Sequence, residues 1–185
     1  MQQLKMLRYQ GEVTLRPLPD GYRYELFRGA DDEINDWVTI CRHGLLPEDG
    51  GVEYFTSTIV EYPDLDPEND LFFVVDRDGR RVATSASVCH KNGEGYLHMV
   101  AALPECRGLG IGHAMLSRAL EMMEARGCTH AVLTTDDFRL PAIKTYLDAG
   151  FHPVIYHDPD SDMRERWDQV IAALCYEPVA YVSEI

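Results

Sequence analysis

The segment Arg107-Gly108-Leu109-Gly110-Ile111-Gly112 is the most informative part of this chain, and it lies between a predicted strand and a predicted helix. Glycine at every second position removes the side chains that would keep a ligand away from the backbone. The first N–H groups of a helix have no partner within the helix, and the helix dipole adds partial positive charge at the same end. The segment therefore predicts an anion site that suits phosphate.

Two common phosphate-binding motifs do not fit this segment. A P-loop requires Lys followed by Ser or Thr, but His113 stands five residues after Gly108 and no such pair occurs there. A dinucleotide-binding fingerprint would accept Gly108 and Gly110 but requires a third glycine at position 113. A general nucleotide-phosphate binder stays open as an alternative.

Turn signals before the glycine segment predict an antiparallel meander of three strands. Asp78-Gly79 separates a predicted strand at 71–76 from one at 81–90, and Asn92-Gly93 separates the latter from a strand at 94–101. Asp-Gly and Asn-Gly between alternating segments are typical of tight hairpins.

Apolar periodicity then changes from strand to helix. A predicted helix at 111–126 joins the strand at 94–101 to a buried strand at 131–135, which makes a βαβ unit with a right-handed crossover. A meander followed directly by such a unit predicts an α/β fold with a mixed sheet and helices on both faces. The remaining expected elements are a strand at 22–28, helices from residue 31 and at 52–61, 141–149 and 162–174, a loop at 62–69, a strand at 151–156, and an irregular lead-in over the first 20 residues.

The string from Val100 to Gly112, which contains R-x-x-G-x-G, resembles the acetyl-CoA motif of the GNAT superfamily of N-acetyltransferases. Ala142-Ile143-Lys144-Thr145-Tyr146, followed by Gly150-Phe151, is similar to the helix and Gly-Phe pair that come later in that family. The resemblance covers roughly residues 22–156, and we expect one domain over 1–185. It implies an acetyl-CoA-dependent enzyme that acetylates a primary amine, which we expect to belong to a small molecule, by direct attack in a ternary complex.

The resemblance also implies which residues hold the co-substrate. Backbone groups of the central strand would hold the acetyl and pantetheine portions, and the loop amides would hold the pyrophosphate. Arg139 stands where the family often has an Asn that contacts the cofactor, so this contact is either lost or made by a cation instead. His113 follows the last glycine of the segment, and by its position it either flanks the phosphate or is an exposed helix histidine. The implied set is Val100, Ala101, Ala102, Arg107, Gly108, Leu109, Gly110, Ile111, Gly112, His113 and Arg139.

Catalysis on an amine requires a proton acceptor and a proton donor. Tyr146 occupies the family's tyrosine position and is the candidate acid, although a core role for it stays open. Glu94, Tyr96 and His98 share one face of a predicted strand, and Glu94 and His98 are the candidate bases. A structural histidine, or a chain of water molecules as the proton relay, are the alternatives at His98.

Composition narrows the possible partners. The net charge of −14 argues against nucleic acid and against anionic membranes. The acidity either attracts a cationic substrate or only keeps the protein soluble. Five cysteines without a CxxC pair indicate reduced thiols in a cytoplasmic protein. His152 and His157 lack the spacing of a metal site, so we expect no metal.

Three functions remain in view from the sequence. The first is a small-amine N-acetyltransferase, and the second is a protein acetyltransferase acting on N-terminal amines or lysines. The third is a non-catalytic acyl-CoA-binding module, which would need the glycine segment but not Tyr146. A homodimer through the sheet edge or the C-terminal helix is also possible.

Overall fold

The computed structural model describes residues 2–156 and 161–183. An eight-stranded sheet in the order β2-β3-β4-β5-β6-β1-β7-β8 forms its centre. Seven neighbouring strand pairs hold it together, and those of β5 with β6 and of β7 with β8 are parallel. The strands are β1 Leu4–Tyr9, β2 Arg23–Leu26, β3 Leu71–Val75, β4 Arg81–Cys89, β5 Glu94–Ala102, β6 His130–Thr135, β7 His152–Ile155 and β8 Val182–Ser183.

Helices cover both faces of this sheet, which confirms the predicted α/β fold. A 3-10 turn at Pro104–Cys106 leads into the glycine segment. Every helix within the described residues is too short or too polar to span a lipid bilayer. The helices are α1 Asp31–Cys41, α2 Val52–Phe55, α3 Pro67–Asp70, α4 Ile111–Ala125, α5 Leu140–Asp148 and α6 Met163–Ala173.

The N-terminal segment departs from the prediction. Residues 4–9 were expected to be irregular, but they form β1 in the interior of the sheet, antiparallel to both β6 and β7. Leu4 and Met6 are fully buried. The alternation of Leu4 and Met6 with Lys5 is too short to indicate a strand by itself. The β6 residues that pair with this segment lie more than 120 positions away in the sequence.

Smaller differences have local causes. The predicted N-cap at Asp31 is replaced by Ala30, because the Glu33 carboxylate accepts hydrogen bonds from the N–H groups of Ala30 (3.0 Å) and Arg28 (2.8 Å). The predicted second helix is present, but after α2 it continues as a π-helix over Thr56–Val60. The predicted loop at 62–69 contains the start of α3.

Two features of β5 open the sheet at its centre. Pairing of β5 with β6 is confined to Glu94, Gly95 and Tyr96, so the two strands separate beyond that point. Met99 has a φ of 51°, and the register of β5 against β4 shifts around it. The backbone of β5 after Tyr96 therefore has an edge that β6 does not cover.

Candidate functional site

The glycine segment forms a turn that exposes backbone amides at the start of α4. Gly108 and Gly110 have φ values of 75° and 79°, in the left-handed region that favours glycine. The N–H groups of residues 108–113 have no acceptor within the described part of the chain. A Cβ atom added at Gly108, Gly110 or Gly112 would meet no atom within 4 Å, so there is space for a ligand beside the backbone at these three positions. Such a helix N-terminus is suited to an anion.

A groove of about 560 Å³ adjoins this turn. Arg16 lines it together with Gly110 and His113, and the backbone N–H of Arg16 donates to Ser117 Oγ on α4 (2.9 Å). His113 Nε2 lies 3.4 Å from Asp148 Oδ2. Arg16 thus adds a cation beside the amides. No local sequence signal indicates this role, because the residues beside Arg16 belong to a segment about 100 positions away.

A second cavity, of about 210 Å³, lies where β5 and β6 separate. Val100 lines it, and Ala101 and Ala102 follow on the same uncovered edge of β5. Its other lining residues come from β5, β6 and α5 and from segments outside the helices and strands: Gln3, Leu45, Tyr96, Leu97, His98, Met99, Leu133, Thr134, Thr135, Asp136, Arg139, Ala142 and Tyr146. The predicted catalytic residues Tyr146 and His98 therefore meet at one opening.

Tyr146 lies on α5 with 8% of its surface exposed. Burial raises the pKa of its hydroxyl to about 12, and the Arg139 charge partly opposes that effect. The ring packs against Phe151, with 6.1 Å between the ring centroids. The hydroxyl has no hydrogen-bond partner among the described residues, so it is available to a ligand in the cavity.

His98 is held in place by the helical segment opposite β5. Its Nε2–H donates to the Thr58 carbonyl at 2.9 Å, and its ring lies 4.1 Å from that of Tyr62, centroid to centroid. A carbonyl can only accept, so the hydrogen bond places the proton on Nε2 and leaves Nδ1 as the basic nitrogen. Burial lowers the pKa of His98 below its usual 6.5, although the Thr58 hydrogen bond opposes this. The imidazole is therefore neutral at pH 7.

Glu94 lies at the far end of the same strand face. Its carboxylate is 3.4 Å from His130 Nε2, and it does not line the cavity. His98 lies four residue steps further along the strand, a distance of about 13 Å. Tyr96 lies between them, with its hydroxyl 2.8 Å from Thr134 Oγ1. The structure thus brings His98 and Tyr146 together and leaves Glu94 apart.

Arg139 also lines the cavity. Its Nε donates to Asp136 Oδ2 at 2.7 Å, and a terminal nitrogen donates to the Gly44 carbonyl at 2.6 Å. Both contacts occupy guanidinium donors, so Arg139 connects the loop after α1 to the start of α5. Arg107, in contrast, is exposed beside the glycine turn.

No group of three or more His, Cys, Asp or Glu side chains in residues 2–156 and 161–183 could hold a metal ion. His152 contacts the Ala180 carbonyl through Nδ1 at 3.3 Å. His157 lies outside the described residues.

Comparison with known proteins supports the resemblance noted above. The family profile described as Acetyltransferase (GNAT) family matches residues 32–151, well over half of the chain. Mycothiol acetyltransferase of Beutenbergia cavernae is 28% identical over 153 residues, which cover 80% of this chain and 51% of the relative. The protein of the same name from Thermomonospora curvata is 28% identical over 156 residues, with 80% and 50% covered. The chain thus spans about half the length of these relatives.

Among solved structures, the GCN5-related N-acetyltransferase from Sphaerobacter thermophilus has a similar fold. It superposes with a TM-score of 0.68 at 22% identity, and the match covers 81% of this chain and 47% of that one.

Proposed function

The chain belongs to the acetyltransferase (GNAT) family, and from that premise we propose that it transfers the acetyl group of acetyl-CoA to the primary amine of a small molecule. The observation that carries this proposal is the set of unpartnered N–H groups at residues 108–113, next to the opened edge of β5. The relatives named mycothiol acetyltransferase support a small-molecule acceptor.

The residues present fit coenzyme A. We propose that the amides of residues 108–113 hold its pyrophosphate, and that Arg16 and Arg107 add positive charge on either side. The uncovered backbone of Val100, Ala101 and Ala102 would hold the pantetheine arm by strand-like hydrogen bonds. When bound, acetyl-CoA supplies the acetyl group as a reactive thioester.

The chemical obstacle is that the acceptor amine is mostly protonated at neutral pH and so cannot attack the thioester. An amine with a pKa of about 10.4 is neutral in only about 1 molecule in 2,500 at pH 7. We propose that Nδ1 of His98 accepts its proton, since the imidazole is neutral and lines the cavity. The net charge of −14 favours the approach of a cationic amine. Glu94 would act only through a chain of water molecules, because about 13 Å of strand separates it from His98.

The departing sulfur requires a proton. We propose that the Tyr146 hydroxyl supplies this proton. The raised pKa of the hydroxyl keeps it protonated at neutral pH, and no described residue forms a hydrogen bond with it. A backbone N–H of the uncovered β5 edge would stabilise the oxyanion, a contribution of roughly 10²–10³ in rate.

The test is an acceptor screen with acetyl-CoA against polyamines, amino acids, aminoglycosides and peptides. Free-thiol release and the mass gain of the acceptor are measured together, because an acceptor with its own thiol would disturb the first readout. We expect acetylation of a small amine. Acetylation of peptides alone would instead indicate a protein acetyltransferase.

A thermal-shift measurement distinguishes the remaining alternatives. We expect acetyl-CoA to raise the melting temperature and ATP to leave it unchanged. Protection by acetyl-CoA without turnover of any acceptor would indicate a non-catalytic acyl-CoA-binding module. Protection by ATP alone would overturn the coenzyme A assignment.

A further inference from the structure

Two cysteines lie together on the α4 side of the sheet, away from the cavity. The sulfur atoms of Cys89 and Cys128 are 2.7 Å apart, and both residues are free thiols. A disulfide bond measures about 2.05 Å, so the sulfurs need to approach by less than 1 Å to bond. The other three cysteines of the chain are Cys41, Cys106 and Cys175, which make no contact with this pair among the described residues.

Regular structure fixes the backbone of both cysteines. Cys89 is the last residue of β4 and pairs with Gly95 on β5. Cys128 follows α4, where Gly127 has a φ of 79° and donates its N–H to Glu124 (2.9 Å) while the Cys128 N–H donates to Met123 (3.0 Å). This pair of hydrogen bonds is the Schellman arrangement, which ends a helix in one defined geometry. The two backbone positions are therefore fixed while the thiols are in contact.

The lack of a side chain at Gly95 makes room for this contact. A Cβ atom there would come within 2.8 Å of Met123 Sδ and 3.2 Å of the His130 carbonyl. Met123 is also the residue whose carbonyl accepts from Cys128. Glycine at position 95 thus lets the end of α4 pack closely against β5, beside Cys89.

The surroundings give the two thiols different roles. Burial raises the pKa of Cys128 to about 12, which its hydrogen bond to Cys89 reinforces, whereas the Arg126 charge opposes it. The Cys128 thiol donates to the Cys89 sulfur. Cys89 is only half-buried, so an oxidant reaches it first.

We propose that Cys89 and Cys128 form a reversible intramolecular disulfide when the protein meets a peroxide. The Cys89 thiol loses its proton, and the thiolate attacks one oxygen of hydrogen peroxide. The O–O bond breaks, Cys89 becomes a sulfenic acid, and the leaving hydroxide takes up the released proton to form one water. The Cys128 sulfur then attacks the sulfenic sulfur, the S–O bond breaks, and a second water carries away the oxygen and the two remaining protons. Two thiols are oxidised and one peroxide is reduced to two waters.

The sequence suits a direct test, because trypsin places each of the five cysteines in a separate peptide. The protein is treated with hydrogen peroxide, free thiols are alkylated, and the digest is analysed by mass spectrometry without reductant. We expect peptides 82–91 and 127–139 joined, two hydrogen atoms lighter than their sum. Dithiothreitol should separate them. Cys89→Ser should abolish the linkage, and the matched control Cys175→Ser, which changes an exposed cysteine, should retain it.

Thermal melting provides an independent readout. A disulfide between these positions closes a loop of 39 residues in the unfolded chain, so oxidation should raise the Tm of the wild-type protein but not that of Cys128→Ser. Recovery of both peptides fully alkylated from oxidised, folded protein would overturn the proposal. Linkage of either cysteine to Cys175 in place of the expected pair would also overturn it.

Discussion

The Tyr146 hydroxyl is buried and protonated, and it has no hydrogen-bond partner among the described residues. Its role can therefore be tested by removing the hydroxyl alone. Tyr146→Phe removes only this hydroxyl and keeps the packing against Phe151. If Tyr146 donates a proton to the departing thiolate, we expect kcat to fall by about 10²–10⁴. The affinity for acetyl-CoA, measured by calorimetry, should change by less than about twofold, because the ring remains.

The matched control is Tyr9→Phe, which removes a hydroxyl from a tyrosine that is 54% exposed and belongs to no part of the site. It should leave kcat unchanged. Unchanged kcat in Tyr146→Phe would remove this hydroxyl from the mechanism and leave Tyr146 as a core residue.

His98 makes a prediction about stability against pH. Its pKa is lower in the folded protein than the usual 6.5, mainly because of burial. Below pH 6.5 the unfolded chain therefore binds more protons at this position than the folded chain, so the free energy of unfolding should decrease as the pH falls. Urea denaturation between pH 7.5 and pH 5.0, pH values chosen to bracket about 6.5, measures this slope.

His98→Gln should flatten that slope, because glutamine does not titrate. His43→Gln, at an exposed histidine, is the matched control and should keep the wild-type slope. An identical slope in wild type and His98→Gln would show that His98 has no lowered pKa in the folded state.

At the scale of elements, two glycine positions allow the effect of backbone strain on stability to be distinguished from an effect on ligand binding. Gly110 and Gly79 have φ values of 79° and 84°, and a Cβ added at either meets no atom within 4 Å. Alanine at each position should therefore cost a similar amount, about 1–2 kcal/mol of stability. Only Gly110→Ala places a methyl group where the amides would meet a phosphate.

We expect Gly110→Ala to weaken acetyl-CoA binding at least about tenfold, equivalent to roughly 1.4 kcal/mol. Gly79→Ala, in the turn between β3 and β4, should bind like the wild type. Calorimetry with acetyl-CoA measures both. Equal affinities in the two variants would place the phosphate elsewhere and remove the main support for the proposed function.

The elements themselves divide into those that the sequence could predict and those that it could not. The meander and the βαβ unit were predictable because Asp78-Gly79, Asn92-Gly93 and the helical period of residues 111–126 are local signals. The separation of β5 from β6 was not predictable, because it depends on how many residues of the two strands pair and on the bulge at Met99. No composition rule encodes a positive φ at a methionine.

The site follows the same division. The glycine turn at 107–113 and the place of Tyr146 on α5 were predictable from two short motifs at the right separation, while the roles of these residues in binding and catalysis stay predictions. Arg16 and the Thr58 carbonyl were not, because each comes from a segment far along the chain from the residue it adjoins.

At the scale of the whole molecule, β1 connects parts of the sheet that the sequence keeps far apart. It pairs with β6 on one side and with β7 on the other, so residues near the N-terminus complete the second half of the sheet. The site depends on this arrangement, because β6 forms one wall of the cavity and α5, which follows it, carries Tyr146.

Truncating a buried side chain of β1 tests whether this strand supports the whole fold. Met6 is fully buried and faces partners on both neighbouring strands, so Met6→Ala should lower the free energy of unfolding by about 2–5 kcal/mol in urea denaturation. Leu15→Ala is the matched control, since Leu15 is 54% exposed, and it should change stability by less than about 0.5 kcal/mol. Both transitions should remain cooperative. Equal, small losses in the two variants would contradict the expectation that the buried face of β1 stabilises the fold.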